Sequence, residues 1–500
     1  MMNLSQPPLA KFSAQAEKLL VWLLLSALAL LSTLALGYAG LKLLRLSAAS
    51  LFLLSCGMAA TILALNYFLF RLLKNAPNTL IAFSVFLMAL LPRMAFGWLA
   101  ECAPVSDFAN YHQFVQWFGE GDRQSVLNLS EAYQLAEFSG LAVLNYGLSL
   151  LFSPTLAGMR LASQVLSALI CTVIFCLALP VHKPAAFLAA LLYAWYPGSI
   201  VAAQIITNQH GATLFALLSF FPLLRAVQAK SFLPAILYAA LSGILLTVSH
   251  FFHPSSVVTL LAVIFFCLVA AALAKRISAL RILAALACFL LSFQMTMAGT
   301  LGLLRSQGLL SGTLHTNAGL SKIAVGLNPE TSGAYSEEDY RAINAFPEEE
   351  RNAQSLRLIQ KRLSNPVALL KTLTAKTFSM WVRTDNLFLF YAQGVEAGRD
   401  GGTTRAETAL AFAQVLQLWD ALFTALLYAS AALGLYAALK APLGNTVRLL
   451  LWTTLGWAGV HILSEVQPRY RYFAFPMLAV FAGMGLSALK NRKQKGSSQA

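Results

Sequence analysis

Apolar blocks of about 20 residues recur along the chain from one end to the other, separated by short polar stretches. A helical block of this length crosses the hydrocarbon core of a bilayer, where the helix satisfies its own backbone polar groups. The pattern therefore predicts an all-α polytopic membrane protein, a helical bundle of about 12 transmembrane helices. The predicted spans are residues 19–40, 48–73, 78–100, 157–179, 185–203, 211–228, 232–250, 254–274, 279–304, 409–440, 446–463 and 472–490.

Basic residues fall on alternate connections between these blocks, and connections rich in Lys and Arg stay in the cytoplasm. This rule predicts that both termini are cytoplasmic. Lys42 and Arg45 break the pattern, so the topology of residues 40–47 stays open. So does that of residues 140–152, because the apolar run Leu141–Phe152 is too short to cross and suits a re-entrant or an interfacial helix. The cytoplasmic markers are Lys11, Lys18, Arg71, Lys74, Lys183, Arg225, Lys230, Lys275, Arg276, Arg281, Lys440 and the basic tail 490–495.

Two long polar segments and one short turn fall on the opposite side, at residues 101–140, 305–407 and 464–472. Connections in compact domains usually run to about 2–8 residues, so segments this long on one face predict an extracytoplasmic working surface. The chain divides into N-terminal membrane helices (1–77), a membrane core with the first outer loop (78–304), an extracytoplasmic loop with interfacial helices (305–407), and C-terminal membrane helices with a basic cytoplasmic tail (408–500).

Composition agrees with the membrane assignment and excludes several functions. Hydrophobic residues make up 58% and charged residues 11% of the chain, against about 25% charged in soluble domains. The formal net charge of +15 is typical of a membrane protein with basic cytoplasmic loops, so no nucleic-acid partner is expected. The cysteines show no CxxC spacing and indicate no metal or redox site. No GxxxxGK[ST] pattern occurs, which excludes an ATP-driven pump that works alone.

The first outer loop contains an acidic residue, Asp107, close to the end of a predicted span. An acid at the membrane surface can act as a general base towards a hydroxyl or bind a divalent cation, whereas Ser106 or Asp107 can equally cap the following helix. Tyr111 and His112, one turn further on, are candidate substrate contacts. Arg93 lies in the outer half of the third span, where an arginine faces a cavity or a partner, or reaches towards the headgroups.

Two polar turns between later spans contain further candidates. Asn208 and His210 lie in a turn on the outer side, where solvated helix caps are the common explanation and a substrate contact is the alternative. His250 and His253 close another outer turn. Two histidines at this spacing can bind metal, but an interfacial role is favoured because no third ligand is near in the sequence.

The long outer segment combines turn-forming and amphipathic stretches. The sequence around Asn317 is rich in Gly, Ser, Thr and Asn, which form turns and whose backbone amides can also bind an anion. Glu348–Leu363 predicts a helix with an acidic start and a basic end, as the helix dipole favours. Pro366–Phe390 predicts a helix that lies on or re-enters the outer leaflet, and its Lys371 and Lys376 are candidate contacts for a lipid phosphate.

The strongest signal is the turn before the last span, which reads Glu-Val-Gln-Pro-Arg-Tyr-Arg-Tyr over residues 465–472. A net positive turn on the outer side breaks the positive-inside rule, and the planar donors of arginine suit phosphate. Arg469, Tyr470 and Arg471 are therefore candidate phosphate contacts, and Glu465 is a candidate substrate contact. The alternative is a structural Glu465–Arg469 ion pair that closes a helix end.

The order of these motifs resembles the GT-C superfamily of membrane glycosyltransferases, which use polyprenyl-phosphate sugars. The nearest similarity is to bacterial proteins similar to the protein O-mannosyltransferases and the glycosylphosphatidylinositol mannosyltransferases, and it covers the chain from about residue 85 onward. The two preceding spans look like an addition. The motifs that carry the resemblance are Ser106-Asp-Phe-Ala-Asn-Tyr111, Met159-Arg-Leu-Ala-Ser163, Tyr193-Ala-Trp-Tyr-Pro197, the Gly/Thr/Asn-rich loop and the turn 465–472.

The resemblance implies a GT-C-like helical bundle and assigns roles to residues. Asp107 matches the acidic residue in the family's first outer loop, the expected general base. Arg469 and Tyr470 match the closing Arg-Tyr turn, and together with Arg93 they are expected to contact the lipid phosphate. The second outer loop departs from the family pattern, because residues 207–210 (Thr-Asn-Gln-His) stand where many relatives carry an acid. Metal dependence therefore stays open: a divalent cation, Mg or Mn, is a candidate cofactor without assigned ligands.

The implied reaction is a step of cell-envelope glycosylation in the bacterial cytoplasmic membrane, with the active site facing outside. A sugar, such as a hexose of the mannose type, would pass with inversion from a polyprenyl-phosphate donor to a hydroxyl of a glycan, lipid or protein acceptor. Asp107 would take the proton of that hydroxyl while arginines neutralise the phosphate.

Two other functions remain open at this stage. A flippase or transporter for a lipid-linked glycan would have similar spans and a basic cavity. Alternating access usually uses both faces of the membrane and often inverted repeats, whereas the long polar loops here fall on one face and no inverted repeat is visible. A polysaccharide polymerase would join two lipid-linked glycans. Either protein would tolerate the loss of Asp107 better than a GT-C enzyme would.

Overall fold

A computed structural model describes residues 8–44, 49–99, 101–133, 137–311, 318–398, 404–440 and 442–497. In these ranges the regular elements are 21 α-helices and one 3-10 helix, Pro468–Phe473. The α-helices are α1 (Pro8–Leu44), α2 (Ala49–Leu73), α3 (Asn78–Leu99), α4 (Asp107–Gly119), α5 (Arg123–Tyr133), α6 (Glu137–Phe152), α7 (Leu156–Ala178), α8 (Lys183–Ala194), α9 (Pro197–Ala202), α10 (Gln209–Gln228), α11 (Phe232–Phe252), α12 (Ser256–Ala272), α13 (Arg276–Ser306), α14 (Ala318–Gly326), α15 (Glu337–Asn344), α16 (Glu348–Leu363), α17 (Pro366–Trp381), α18 (Leu387–Ala397), α19 (Thr404–Ala438), α20 (Asn445–Leu463) and α21 (Phe475–Ser497).

Seven helices in the described ranges are long and apolar enough to cross a membrane. This confirms the predicted all-helical architecture and its membrane character, whereas the number of 12 spans stays a prediction. The seven are α1, α3, α7, α10, α11, α13 and α19.

Three of the five remaining predicted spans contain helices that are shorter or interrupted. The block 185–203 is split into α8 and α9, because a proline disfavours helical backbone in the residue before it and Pro197 follows Tyr196. The block 254–274 contains α12, which has only 17 residues. The block 472–490 begins inside the 3-10 helix, and its apolar helical part is Phe475–Leu489.

The bundle has a buried centre and a lipid-facing periphery. In α10 and α7, 72% and 67% of the apolar window is buried, against 28% in α1, α3 and α13. The peripheral helices expose leucine, phenylalanine and tryptophan side chains, as expected where the neighbours are lipid tails. The centre also contains α8, α19 and α21, of which α21 packs against both of the others.

Glycines let α8, α19 and α21 approach closely. A Cβ atom added to Gly434 of α19 would lie 1.8 Å from the carbonyl oxygen of Phe481 in α21, and one added to Gly483 of α21 would lie 2.2 Å from the carbonyl oxygen of Ala185 in α8. Small residues at such contacts bring helix backbones together and add packing contacts.

The two long polar segments are helical. The first contains α4, α5 and the start of α6, a helix that includes the short apolar run Leu141–Phe152. In the second, the predicted helix Glu348–Leu363 is confirmed as α16. The single helix predicted for Pro366–Phe390 is wrong, because α17 ends at Trp381 and α18 begins at Leu387. The carboxylate of Asp385 accepts the backbone N–H of Leu387 at 3.0 Å, one residue before the N-cap Asn386.

Candidate functional site

The first polar segment and the turn before α21 meet at an ion pair. Asp107 Oδ2 lies 3.6 Å from Arg469 Nη2. The Asp107 side chain is 43% exposed and that of Arg469 is 13% exposed, so the acid is open to solvent while the guanidinium is nearly buried. At 3.6 Å the contact is longer than a hydrogen bond, which leaves both groups able to bind a ligand.

Asp107 is the first residue of α4. The residue before it, Ser106, occupies the N-cap position with φ 55°, and its side chain makes no capping hydrogen bond. Positive φ in a residue other than glycine is uncommon and is seen most often where the backbone is held by its surroundings. The loop is held on α18, since the N–H of Ala103 donates to the carbonyl of Gly394 at 2.9 Å.

Arg469 is surrounded by aromatic rings. Its guanidinium carbon lies 5.5 Å from the centre of the Phe108 ring, 5.4 Å from that of Phe390 and 5.9 Å from that of Tyr470. Burial lowers the pKa of this guanidinium, but Tyr470, Tyr111 and Asp107 outweigh burial, so the pKa stays above its ordinary value. Arg469 is therefore a permanent cation with a weakly hydrated surface, suited to phosphate.

A second ion pair lies next to the first. Lys322 Nζ is 2.7 Å from Glu465 Oε2, and that carboxylate also accepts hydrogen bonds from the Tyr340 hydroxyl at 3.2 Å and from Gln467 Nε2 at 3.1 Å. Burial raises the pKa of Glu465, but Lys322 and these hydrogen bonds bring it below its ordinary value. Glu465 thus pairs with Lys322, and the Glu465–Arg469 pair considered from the sequence is wrong.

Lys322 was not predicted as a site residue. It lies in α14, whose C-terminal Gly326 packs directly on the turn, as a Cβ there would be 2.3 Å from the carbonyl oxygen of Leu463. Burial and the charge of Glu465 raise the pKa of the Tyr470 hydroxyl, whereas Lys322 and Arg469 lower it. A lone lysine in a turn-rich segment gives no sequence signal for this position. We call Asp107, Lys322, Glu465, Arg469 and Tyr470 the Asp107–Arg469 site.

Arg471 points into the bundle. Its side chain is fully buried, Nη2 lies 2.6 Å from Asp420 Oδ2, and Nη1 donates to the carbonyl of Arg383. Asp420 also accepts the backbone N–H of Asp385 at 3.2 Å. Asp420 was not predicted, although an acid in the middle of the apolar helix α19 is a recognisable signal. Arg471 is therefore not part of the Asp107–Arg469 site.

Arg93 and His210 belong to a separate buried network. Arg93 donates to Ser167 Oγ at 2.7 Å, to Ser199 Oγ at 2.8 Å and to two backbone carbonyls. Ser199 Oγ is 3.3 Å from the Tyr472 hydroxyl, which is 2.6 Å from His210 Nδ1. Arg93 is fully buried and is bound by other residues of the protein. Of the two surroundings predicted for it, a partner inside the protein and the headgroups, the first is the one observed.

The other predicted lipid contacts lie on α17. Lys376 is 1% exposed and donates to the carbonyls of Gly326, Ile462 and Ser464 at 2.7–2.9 Å. Burial lowers its pKa to about 8. Lys371 lies on the exposed side of the same helix. Lys376 thus connects three elements and is not free to reach a headgroup.

The remaining candidates are spread around the site. Tyr111 is 6% exposed and packs edge-on against Phe108, the ring under Arg469. His112 has a buried Nε2 without a hydrogen-bond partner, and burial lowers its pKa. Asn208 donates to the carbonyl of Phe252 at 2.8 Å. Asn317 lies outside the described residues.

The described residues give little support for a metal-binding site. His250 Nδ1 lies 2.9 Å from Ser256 Oγ, and His253 Nδ1 lies 2.6 Å from Ser255 Oγ. No group of three or more His, Cys, Asp and Glu side chains that could hold a metal occurs among the residues that the structure describes.

No protein-family model matches this chain, and no curated protein matches it. The similarity to GT-C enzymes therefore rests on the order of sequence motifs, and the function has to be argued from the site itself.

Proposed function

We propose that this protein is a membrane glycosyltransferase that moves a sugar from a polyprenyl-phosphate donor to an acceptor hydroxyl at the extracytoplasmic face. The observation that carries the proposal is the contact between Asp107 and Arg469, which lie far apart in the sequence. It joins an exposed carboxylate, able to accept a proton, to a nearly buried guanidinium, able to bind a phosphate.

Phosphate binding is supported by the surroundings of Arg469. Arg469 has aromatic rings on three sides and one long contact to a carboxylate, so most of its donors are uncommitted to an acid. Lys322 is already paired with Glu465 at 2.7 Å, so Arg469 supplies the positive charge that a phosphate would meet. A monophosphate leaving group that gains charge as its bond to the sugar breaks would be stabilised there. The isoprenoid tail would lie against the apolar faces of the membrane helices.

Asp107 is the proposed general base. The acceptor oxygen attacks the anomeric carbon, the bond from that carbon to the phosphate oxygen breaks, and the electron pair leaves with the phosphate. The proton of the acceptor hydroxyl passes to the carboxylate of Asp107. In-line attack inverts the anomeric centre. Holding the acceptor and the donor in this geometry supplies a large share of the rate enhancement.

A divalent cation is not needed to write these steps with the chain's own groups. Asp107 is the residue that would contact such an ion, and the described residues offer it no further acidic ligands in a cluster. The cation therefore stays a candidate cofactor whose role, if present, would be to add positive charge at the phosphate.

Sugar transfer by the purified full chain in liposomes tests the proposal. A panel of radiolabelled polyprenyl-phosphate hexoses is offered together with a membrane extract as acceptor. Wild type is expected to move label from one donor to an acceptor, and Asp107→Asn to reduce the rate at least 100-fold, because loss of a general base has effects of about 10²–10⁴.

Glu120→Gln is the matched control, since Glu120 is an exposed acid at the end of the same helix and has no part in the site. It is expected to transfer at the wild-type rate. Transfer by Asp107→Asn at the rate of Glu120→Gln would remove Asp107 from the reaction and leave the proposal without its base.

A further inference from the structure

Arg160, in the first turn of α7, is a buried cation with almost no protein partner. Its side chain is 9% exposed, and Nη2 donates to the carbonyl of Cys102 at 3.0 Å. Its Nε is buried without a hydrogen-bond acceptor. A buried charge without a counter-charge is unfavourable, so such a group usually has a reason to be retained.

The other buried arginines among the described residues are better satisfied. Arg93 makes four hydrogen bonds and Arg448 is paired with Glu17, while Arg471, whose Nε is also without a partner, is paired with Asp420. Arg160 alone has neither a carboxylate partner nor a second acceptor in this set. The difference points to an acceptor that comes from outside the chain.

Two more buried donors lie beside Arg160. The Tyr391 residue is 0% exposed and its hydroxyl has no hydrogen-bond partner, as is true of the Ser163 hydroxyl one turn along α7. Burial raises the pKa of the Tyr391 hydroxyl, and the charge of Arg160 lowers it. Cys102 connects them, because its carbonyl accepts from Arg160 and its Sγ lies 3.8 Å from the carbonyl oxygen of Tyr391.

The position of this cluster relates it to the Asp107–Arg469 site. Cys102 lies in the loop that leads to Asp107. Consecutive residues of α18 relate to the two arginines, since the Phe390 ring packs under Arg469 and the Tyr391 backbone contacts Cys102, whose carbonyl binds Arg160. Arg160 is therefore bound to the loop that leads to the proposed base, and none of the three rings around Arg469 belongs to this cluster.

We infer that Arg160, Tyr391 and Ser163 form a second oxyanion-binding site, which takes a phosphate or carboxylate group carried by the acceptor. The guanidinium offers Nε and an Nη donor to two oxygens at once, and the two hydroxyls can donate to the remaining lone pairs. Assignment to the acceptor rests on the proposed function, in which the donor's phosphate is bound at Arg469. The acceptor is then an acidic glycan, lipid or protein.

Calorimetric titration of the full chain in detergent tests the inference with two probes. Inorganic phosphate reports on both anion sites, and a short-chain prenyl phosphate reports on the donor site. Wild type is expected to bind phosphate at two sites. Arg160→Gln and Tyr391→Phe are each expected to weaken one site at least tenfold and to leave prenyl phosphate binding unchanged. Arg469→Gln is expected to weaken prenyl phosphate binding.

Arg341→Gln is the matched control, because it also removes one positive charge but from a side chain that is 79% exposed. Tyr391→Phe keeps the buried ring and removes only the hydroxyl, so it reports on the site even where Arg160→Gln fails to fold. Phosphate binding by Tyr391→Phe with the affinity and stoichiometry of wild type would overturn the inference.

The failure of the inference differs from a failure of the proposed function. Weaker prenyl phosphate binding in Arg160→Gln or Tyr391→Phe would assign the cluster to the donor and overturn the acceptor assignment, while sugar transfer would still depend on Asp107. A protein that binds phosphate at two sites but transfers no sugar from any donor would support the oxyanion site. The same result would contradict the proposed function, and with it the assignment of the site to the acceptor.

Discussion

Asp107 and Arg469 form one ion pair but lie in different surroundings. The carboxylate is 43% exposed at the start of α4, whereas the guanidinium is nearly buried among three aromatic rings. An accessible carboxylate can exchange protons with a substrate, and a buried permanent cation can hold an anion in place. The two residues are therefore expected to affect different kinetic constants.

Asp107→Asn is expected to lower kcat about 10²–10⁴-fold with little change in the KM for the donor. Arg469→Lys is expected to raise that KM at least tenfold, because lysine loses the planar pair of donors and the stacking on Phe108 and Phe390. Steady-state kinetics on the donor identified by the panel measure both. Equal effects of the two substitutions on kcat alone would contradict this division of roles.

Glu465 makes stability depend on pH. Its folded pKa is below the ordinary 4.5, so its stabilising effect is present above the pKa of the unfolded chain and is lost as pH falls through the folded pKa. Glu465→Gln is expected to lower the free energy of unfolding by about 2 kcal/mol at pH 7, less than a fully buried pair would lose, because the Lys322 side chain is 41% exposed. Denaturant unfolding in detergent between pH 3 and 7 should show the difference from wild type shrinking below about pH 4.5. A difference that grows on acidification would contradict this sign.

The sequence could predict some of these residues and not their partners. Asp107 and Arg469 stood out because each lies in a motif at a membrane boundary. Their contact, and the pairing of Glu465 with Lys322, depend on how α4, α14 and the final turn pack, which no local spacing encodes. Residues close in sequence were therefore paired wrongly, as for Glu465 and Arg469.

At the scale of single elements, α17 shows that one helix can carry two lysines with opposite surroundings. Lys371 is exposed, whereas Lys376 donates to three carbonyls that belong to α14, to α20 and to the turn after it. The sequence predicted the same lipid contact for both, since composition alone does not tell which face of an amphipathic helix is covered.

Lys376→Met is expected to lower the free energy of unfolding by about 3 kcal/mol, because it leaves three carbonyls without their donor. Lys371→Met is the control on the same helix and should change it by less than about 0.5 kcal/mol. Thermal unfolding in detergent compares the two. Equal stabilities would mean that Lys376 does not hold these elements together.

Helix boundaries were predictable where the sequence contains a local signal. The acidic start and basic end of Glu348–Leu363 gave α16 with the observed bounds. The break at Tyr196–Pro197 was missed because apolar residues continue through it and hide the proline. The start of α18 at Leu387 was also missed, although the polar run Arg-Thr-Asp-Asn at 383–386 precedes it. Hydropathy reports burial or lipid contact, not the continuity of the backbone helix.

At the scale of the whole molecule, seven helices of sufficient length and apolarity agree with the membrane bundle that the sequence predicted. The orientation is still an expectation from the distribution of basic residues. This orientation places Asp107 outside the cell and the connection that contains Lys230 in the cytoplasm.

Cysteine labelling checks this orientation. Glu120→Cys, on the same helix as Asp107, is expected to react with a membrane-impermeant maleimide in intact cells. Lys230→Cys is expected to react only after permeabilisation. The cysteines described as free in the wild type are buried or half-buried, so wild type supplies the background. Labelling of Lys230→Cys in intact cells would reverse the orientation.

Chemistry and transport can be separated in sealed liposomes that carry the labelled donor and an acceptor on the face of Asp107. The prediction is that wild type attaches the sugar to the acceptor with an inverted anomeric centre, and that Asp107→Asn leaves the donor intact while still binding it. A wild-type protein that moves the intact donor across the bilayer, with Asp107→Asn doing so equally well, would contradict a glycosyltransferase and favour a flippase.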